Sequence, residues 1–318
     1  MIERVVFMGT TKFSVPALTA LHLKYKVVGV YTQPDRPVGR GLEVTMSSVK
    51  KVALKFGIPV YQPEKLSAPG EIEKLAALNP SVIVVAAYGQ ILKADVLQLA
   101  KYGCVNIHTS LLPRWRGAAP IQWAMISGDS ETGITTMKMN QRLDTGNVLL
   151  QVPIPIMPQD TAETLYDRLA DMGADLILKT LEQLENGTAV EQVQDATRAT
   201  YALKLTKEMG YLWTDEKVVV LARKVRALNP WPGTWIETKG MGRLKVLEAQ
   251  AWDSFPSGAA SGQLFEKNGM ILMTAVGGCL QLKRMQWEGK SPIGPVEFLN
   301  GLKGRGQSLP IQLSSKPL

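Results

Sequence analysis

Four short apolar runs, at residues 5–8, 27–31, 82–86 and 104–107, constrain this chain more than any other feature. Apart from Asn106 in the last, they are continuously rather than alternately apolar, which is the pattern of a strand covered on both faces. Helical spacing separates them; Phe13, Ala17, Leu18 and Leu21, for example, fall on one helical face. Strands alternating with helices predict an α/β domain built on a mostly parallel, Rossmann-like sheet. A long helix is predicted from Asp160, with Asp160 as N-cap, Glu163 as its reciprocal partner, and a stripe of Leu165, Leu169, Met172, Leu176 and Leu184. Asn186-Gly187 ends it.

Residues 188–205 lack a strong period and read as a linker. From residue 206 the pattern changes to short segments, at 244–247, 269–273 and 279–282, between Gly-rich turns. They predict a small all-β barrel of the oligonucleotide-binding type. The expected organisation is therefore 1–187, a linker 188–205, and a barrel domain 206–318. A length of 318 residues suits two domains.

Composition narrows the chemistry. Cys104 and Cys279 are the two cysteines, which is too few for a disulfide framework and points to a reducing cytoplasm. His22 and His108 are the two histidines, so a metal site needing several His or Cys ligands is not expected. No apolar run approaches the ~20 residues of a membrane span. The first apolar run is also too short for a signal-peptide core. The net charge of +8 is uneven, since residues 206–318 carry 15 Lys and Arg against 9 Asp and Glu. A polyanionic partner accounts for that excess, and so does simple solubility.

The sharpest local feature is Asn106-Ile107-His108-Thr109-Ser110, where a buried strand ends. Open α/β sheets place their sites at the carboxyl ends of strands. Strand alternation puts Asn106 and His108 on one side. An amide beside an imidazole suits acyl transfer, because the amide can stabilise a developing oxyanion and the imidazole can move a proton. A loop-capping histidine would look the same. Asp144, in the turn Leu143-Asp144-Thr145-Gly146, could orient His108 by triad logic, or serve only its own Asx turn.

Other segments fall at the same predicted edge. Tyr88-Gly89-Gln90 follows residues 82–86, where backbone groups could hold a planar heterocycle or simply reverse the chain. Arg114 and Arg116 flank Trp115, an arrangement that grips phosphate or stacks on a base, or else forms a solvated loop with the indole turned inward. The loop 33–42 mixes Pro, Gly and arginines Arg36 and Arg40, a composition common in ligand-binding loops. Gly9-Thr10-Thr11-Lys12 has one glycine where a dinucleotide fingerprint has three, and reads as a tight turn.

Together, Asn106-Ile107-His108-Thr109-Ser110-Leu111-Leu112-Pro113, Arg114-Trp115-Arg116-Gly117-Ala118-Ala119-Pro120-Ile121-Gln122 and Leu143-Asp144-Thr145-Gly146 resemble the methionyl-tRNA formyltransferase family. The loop 33–41 and Asn229-Pro230-Trp231-Pro232 narrow the likeness to the tRNA enzymes among folate-dependent formyltransferases. The likeness covers residues 3–300. It implies a Rossmann-like catalytic domain and a tRNA-contacting barrel. It also implies 10-formyltetrahydrofolate as formyl donor and initiator methionyl-tRNA as acceptor. Asn106, His108 and Asp144 match the family's catalytic trio, and Ser110, Leu111, Leu112 and Pro113 match its folate segment. Arg40 matches the key arginine of a loop that enters the acceptor stem. Leu42 and Glu43 depart from the family, which often has lysines there, and Thr11 stands where proline is usual. A cytoplasmic monomer without a metal is expected. An amino-sugar nucleotide formyltransferase shares the trio, and a folate-binding RNA module without turnover is the non-enzymatic alternative.

Overall fold

The computed structural model describes residues 1–38, 43–252, 254 and 261–314. It divides into two compact units. The first comprises Met1–Pro120, Glu131–Pro155 and Thr164–Ala202, and the second comprises Ile121–Ser130, Ile156–Glu163 and Leu203–Leu318.

The first unit is built on a seven-stranded sheet. In spatial order its strands are Val148–Pro155, Glu131–Lys138, Cys104–His108, Val82–Ala86, Arg4–Gly9, Lys26–Tyr31 and Val60–Tyr61. The five strands from Cys104–His108 to Val60–Tyr61 are parallel, and the last two, at the other edge, pair antiparallel. Every residue of Val82–Ala86 and of Cys104–His108 is buried. This explains why Val82–Ala86 is continuously rather than alternately apolar, and it leaves Asn106 and His108 as the polar residues of Cys104–His108. The chain leaves Arg4–Gly9 toward one edge of the sheet and later resumes on its other side. That reversal opens a crevice outside the carboxyl ends of Arg4–Gly9 and Val82–Ala86.

The crevice floor is tightly stitched. A Cβ at Gly9 would lie 2.7 Å from the Phe7 ring and 2.9 Å from the Ala86 carbonyl oxygen, so only glycine fits. Ser14 Oγ donates to that same carbonyl at 2.6 Å. The helix Ser14–Lys24 buries Ala17, Leu18 and Leu21 behind it, as their spacing predicts.

The helix Ala162–Asn186 starts later than expected. Asp160 lies two residues before it, and its Oδ2 accepts the Met157 N–H at 2.7 Å. A carboxylate can tie down the turn before a helix as readily as the helix itself, and the two leave the same sequence mark. Leu165, Leu169 and Leu176 are buried, and Gly187, at φ 70°, ends the helix.

The segment read as a linker is hydrogen-bonded to this unit as far as residue 202. Gln192 bridges Val148, and Tyr201–Ala202 pairs in parallel with Arg116–Gly117.

The second unit contains a six-stranded antiparallel sheet, ordered Thr234–Thr238, Gly242–Trp252, Gly278–Trp287, Met270–Ala275, Gln263–Lys267 and Ile311–Gln312. A bridge between Thr238 and Leu313 joins its two edges, so the sheet curls into a barrel. Two helices complete the barrel core, and here the all-β expectation is corrected. Val218–Leu228 contributes Val218, Leu221 and Val225, and Pro295–Lys303 contributes Phe298 and Leu302. The run Val218-Val219-Val220 masks the first helix, because branched residues favour strands unless tertiary packing overrides them.

Candidate active site

The strand Cys104–His108 delivers two of the candidate residues to the crevice. Asn106 pairs in register with Val85, and His108 with Thr135. Both are buried residues, yet the Asn106 amide makes no hydrogen bond within the described protein. A largely buried side chain whose amide is not spent on the fold is available to a ligand. His108 Nε2 lies 3.0 Å from the Trp115 carbonyl oxygen. A carbonyl only accepts, so Nε2 carries the hydrogen and Nδ1 is the nitrogen that faces Asp144. The distance from Nδ1 to Asp144 Oδ2 is 3.8 Å, within ion-pair reach and beyond a direct hydrogen bond.

Asp144 is brought there by a turn that the sequence hints at but does not position. Its φ is 50°, a left-handed conformation that aspartate tolerates. Its Oδ2 accepts the Gly117 N–H at 2.8 Å. Gly146 is packed so closely that a Cβ there would lie 1.7 Å from the Lys138 carbonyl oxygen. Trp115 also sits at positive φ, 61°, which for a bulky residue is a true outlier. The conformation aims its carbonyl at His108 and buries the indole.

The segment Ser110–Pro113 is held from behind by two residues that no local sequence pattern marks. Thr135 Oγ1 donates to the Ser110 carbonyl at 2.6 Å and accepts the Leu112 N–H at 3.2 Å. Gln151 Nε2 donates to the Leu112 carbonyl and to Thr135 Oγ1, both at 2.8 Å. The Ser110 hydroxyl is fully buried and donates to the Arg114 carbonyl. Leu112 is buried, whereas Leu111 and Pro113 are partly exposed.

The Tyr88 ring is buried, and burial pushes its phenol well above the usual range. Its carbonyl accepts from Thr10 Oγ1 at 3.0 Å and Gln33 Nε2 at 3.2 Å. The Gln90 amide accepts from Leu66 N–H and donates to the Pro63 carbonyl. At 88–90, then, the side chains of Tyr88 and Gln90 serve the fold, and Gly89, at φ 87°, permits the turn.

The arginines separate into three groups. Arg116 is buried, and its Nε and Nη2 both donate to Gln194 Oε1, at 3.1 and 2.8 Å. Arg114 lies over the Trp115 ring, 4.5 Å from its centroid. Arg36 is exposed and paired with Glu64. Arg40 and Leu42 lie outside the described residues. Gln194 completes the arrangement, since its Nε2 donates to the carbonyls of Asp144 and Gly146 at 2.9 and 2.7 Å. Gln194 and Thr135 lie 48 and 23 residues from the nearest motif residues they bond, Gly146 and Leu112, and no local pattern marks them.

Cys104 offers no nucleophile, because burial pushes its thiol up to about 12. Among the described residues no three His, Cys, Asp or Glu side chains are placed to hold a metal ion. No helix among them is long and apolar enough to cross a membrane.

A free amide, an imidazole and a carboxylate at the carboxyl edge of a parallel sheet define an acyl-transfer type of site. Residues 3–181 match the formyl transferase family, and residues 204–303 match its C-terminal domain family. The methionyl-tRNA formyltransferase of Marinobacter nauticus is 44% identical over 302 residues, covering 94% of this chain and 96% of that protein. The methionyl-tRNA formyltransferase of Caldanaerobacter subterraneus is 43% identical over 300 residues, with coverage of 94% and 96%. Among solved structures, a sugar 3N-formyl transferase determined in the presence of dTDP and 5-N-formyl-THF superposes with a TM-score of 0.65 at 17% identity. It covers 92% of this chain and 100% of its own, a likeness of fold. The chain belongs to the formyltransferases and, within them, to the methionyl-tRNA formyltransferase family.

Proposed function

We propose that this chain transfers the formyl group of 10-formyltetrahydrofolate to the amino group of initiator methionyl-tRNA, giving N-formylmethionyl-tRNA for translation initiation. The observation that carries the chemistry is the uncommitted Asn106 amide beside His108 and Asp144. The donor supplies a formyl carbon attached to a nitrogen leaving group. An α-amine with a pKa of roughly 7.7–8.0 is partly neutral near physiological pH, so it can attack that carbon directly. A carbon–nitrogen bond forms to the amine, negative charge develops on the formyl oxygen, and the bond to the donor nitrogen breaks.

In this reading Asn106 Nδ2 donates to the formyl oxygen as its charge grows, a contribution of roughly 3 kcal/mol. His108, oriented by the Trp115 carbonyl and by Asp144, takes the proton that the amine nitrogen must shed once it has bonded to the formyl carbon and relays it toward the departing nitrogen. Ser110, Leu111, Leu112 and Pro113 form one side of the folate site, and the backbone of Tyr88, Gly89 and Gln90 forms another. Arg36 and Arg40 serve the acceptor stem, with Arg114 and Arg116 near its end. Residues 1–187 act as the catalytic domain, 188–205 as the connection, and 206–318 as the basic, RNA-facing domain. The enzyme works as a cytoplasmic monomer.

The test is formyl transfer from 10-formyltetrahydrofolate to purified charged initiator tRNA, beside charged elongator methionyl-tRNA and an amino-sugar nucleotide. Transfer to the initiator alone supports the assignment. Transfer to the sugar nucleotide alone overturns its tRNA half.

A further inference from the structure

Beside the Asp144 turn lies a cleft of about 460 Å³, lined by Arg116, Asn140, Gln141, Arg142, Thr145, Gln194 and Ala196. Its hydrogen-bonding inventory is lopsided. Asn140 Oδ1 already accepts from the Arg142 N–H and from Thr145 Oγ1. Gln194 spends its oxygen on Arg116 and its nitrogen on the carbonyls of Asp144 and Gly146. The walls therefore present unused donors in the Asn140 amide nitrogen, the Gln141 amide nitrogen and the Arg142 guanidinium, beside the positive charge of Arg116.

Neither guanidinium has a carboxylate partner. Arg116 is buried and bonded to a neutral amide, and the Arg142 side chain makes no ion pair or hydrogen bond among the described residues. The acids nearest in sequence are engaged elsewhere. Asp144 Oδ2 holds the Gly117 N–H, Asp195 holds Thr197, and Glu191 holds Lys138 and Asn147. A buried cation without an anion is costly, and an incoming oxyanion removes that cost.

We propose that this cleft is an oxyanion subsite that takes a phosphodiester from the acceptor end of the RNA substrate, with Arg142 as its exposed fork and Arg116 as a fixed charge in its wall. The proposal rests on the function inferred above. The turn Asn140–Thr145 that lines the cleft also carries Asp144. An aminoacyl-RNA with its amine at the trio therefore has its last phosphates close to this turn. Arginine forks match phosphate in pairs of parallel hydrogen bonds. The glutamyl carboxylates of the formyl donor share the same chemistry, and the experiment separates the two sources.

The full chain, its R142Q variant and its R142K variant are compared in steady-state formylation of charged initiator tRNA at several salt concentrations. The KM for the formyl donor is measured in parallel. A methionyl ester of adenosine, which lacks phosphodiesters, serves as a second acceptor. In R142Q the KM for the RNA should rise about tenfold, and the log–log salt slope should shrink by about 0.7–0.9. The KM for the donor and the rate with the adenosine ester should keep their wild-type values, and R142K should recover part of the loss. An unchanged RNA KM and salt slope overturn the subsite. A rise in the donor KM instead assigns the cleft to the donor's carboxylates and also overturns it. A wild-type chain that fails to formylate charged tRNA overturns the functional reading, whereas an active wild type with an indifferent R142Q overturns the subsite alone.

Discussion

Asp144 Oδ2 lies 3.8 Å from His108 Nδ1 while accepting the Gly117 N–H at 2.8 Å. The carboxylate is thus anchored to the backbone and offers its charge, rather than a hydrogen bond, to the imidazole. Asp144→Asn keeps an oxygen for Gly117 and removes that charge. The variant should fold with a near-normal Tm and lose roughly 10²–10⁴-fold in kcat. Wild-type turnover in single-turnover formylation would show that the charge has no part in the reaction.

Asn106 is the residue whose loss should be cleanest. Its amide supports no fold contact among the described residues, so Asn106→Ala should leave Tm almost unmoved. The rate should fall by about two decades, the effect of one oxyanion donor. A large Tm drop with unaltered kcat would make it a structural residue.

Gly146 faces the Lys138 carbonyl with no room for a methyl group, since a Cβ would sit 1.7 Å from that oxygen. Gly146→Ala must push the Asp144 turn away from the strand Glu131–Lys138. Both thermal stability and kcat should fall, and a crystal structure of the variant should show the turn displaced. A wild-type kcat would mean that Asp144 need not be held in place.

Thr135 and Gln151 should act on the donor. Thr135→Val leaves the Leu112 N–H without its acceptor in a buried position, at a cost of roughly 1–3 kcal/mol. Gln151→Ala removes the bond to the Leu112 carbonyl and the one to Thr135 Oγ1. Each should raise the KM for the formyl donor more than the KM for the tRNA. Equal changes in both would place the segment outside the donor site.

Cys104 gives a pH signature. Its thiol ionises near 8.5 in an unfolded chain and is pushed up to about 12 by burial in the native state. Below about pH 8.5 both states are protonated, so its contribution to stability is complete. Above that the unfolded state loses the proton first, so stability falls as pH rises toward 12. Tm should therefore decline more steeply above pH 8.5 in the wild type than in Cys104→Ala. Parallel curves would contradict a buried, neutral thiol.

The parallel sheet, the long helix and the Asn106–His108 pair were legible because each writes a local pattern. A doubly covered strand is apolar throughout, and a helix stripe repeats every three or four residues. Alternation alone placed Asn106 and His108 on one side of their strand. The two helices of the barrel unit were not legible, because a branched run such as Val218-Val219-Val220 fits either element until packing chooses. The start of the long helix was read two residues early, from Asp160 rather than Ala162, for a related reason. A carboxylate that ties down a turn resembles one that caps a helix.

The sequence by itself determined the family and the chemical types at the site, because motif residues lie within a few positions of one another. Only the tertiary structure decided which of them face each other. Asp144 reaches His108 because a left-handed turn, a glycine with no space for a side chain and the Gln194 amide converge on one loop. Those contacts join positions from 8 to 50 residues apart, through carbonyls and N–H groups that every residue carries. Hydrogen bonds to the backbone leave no trace in residue identity, and so this part of the site became visible only with the fold.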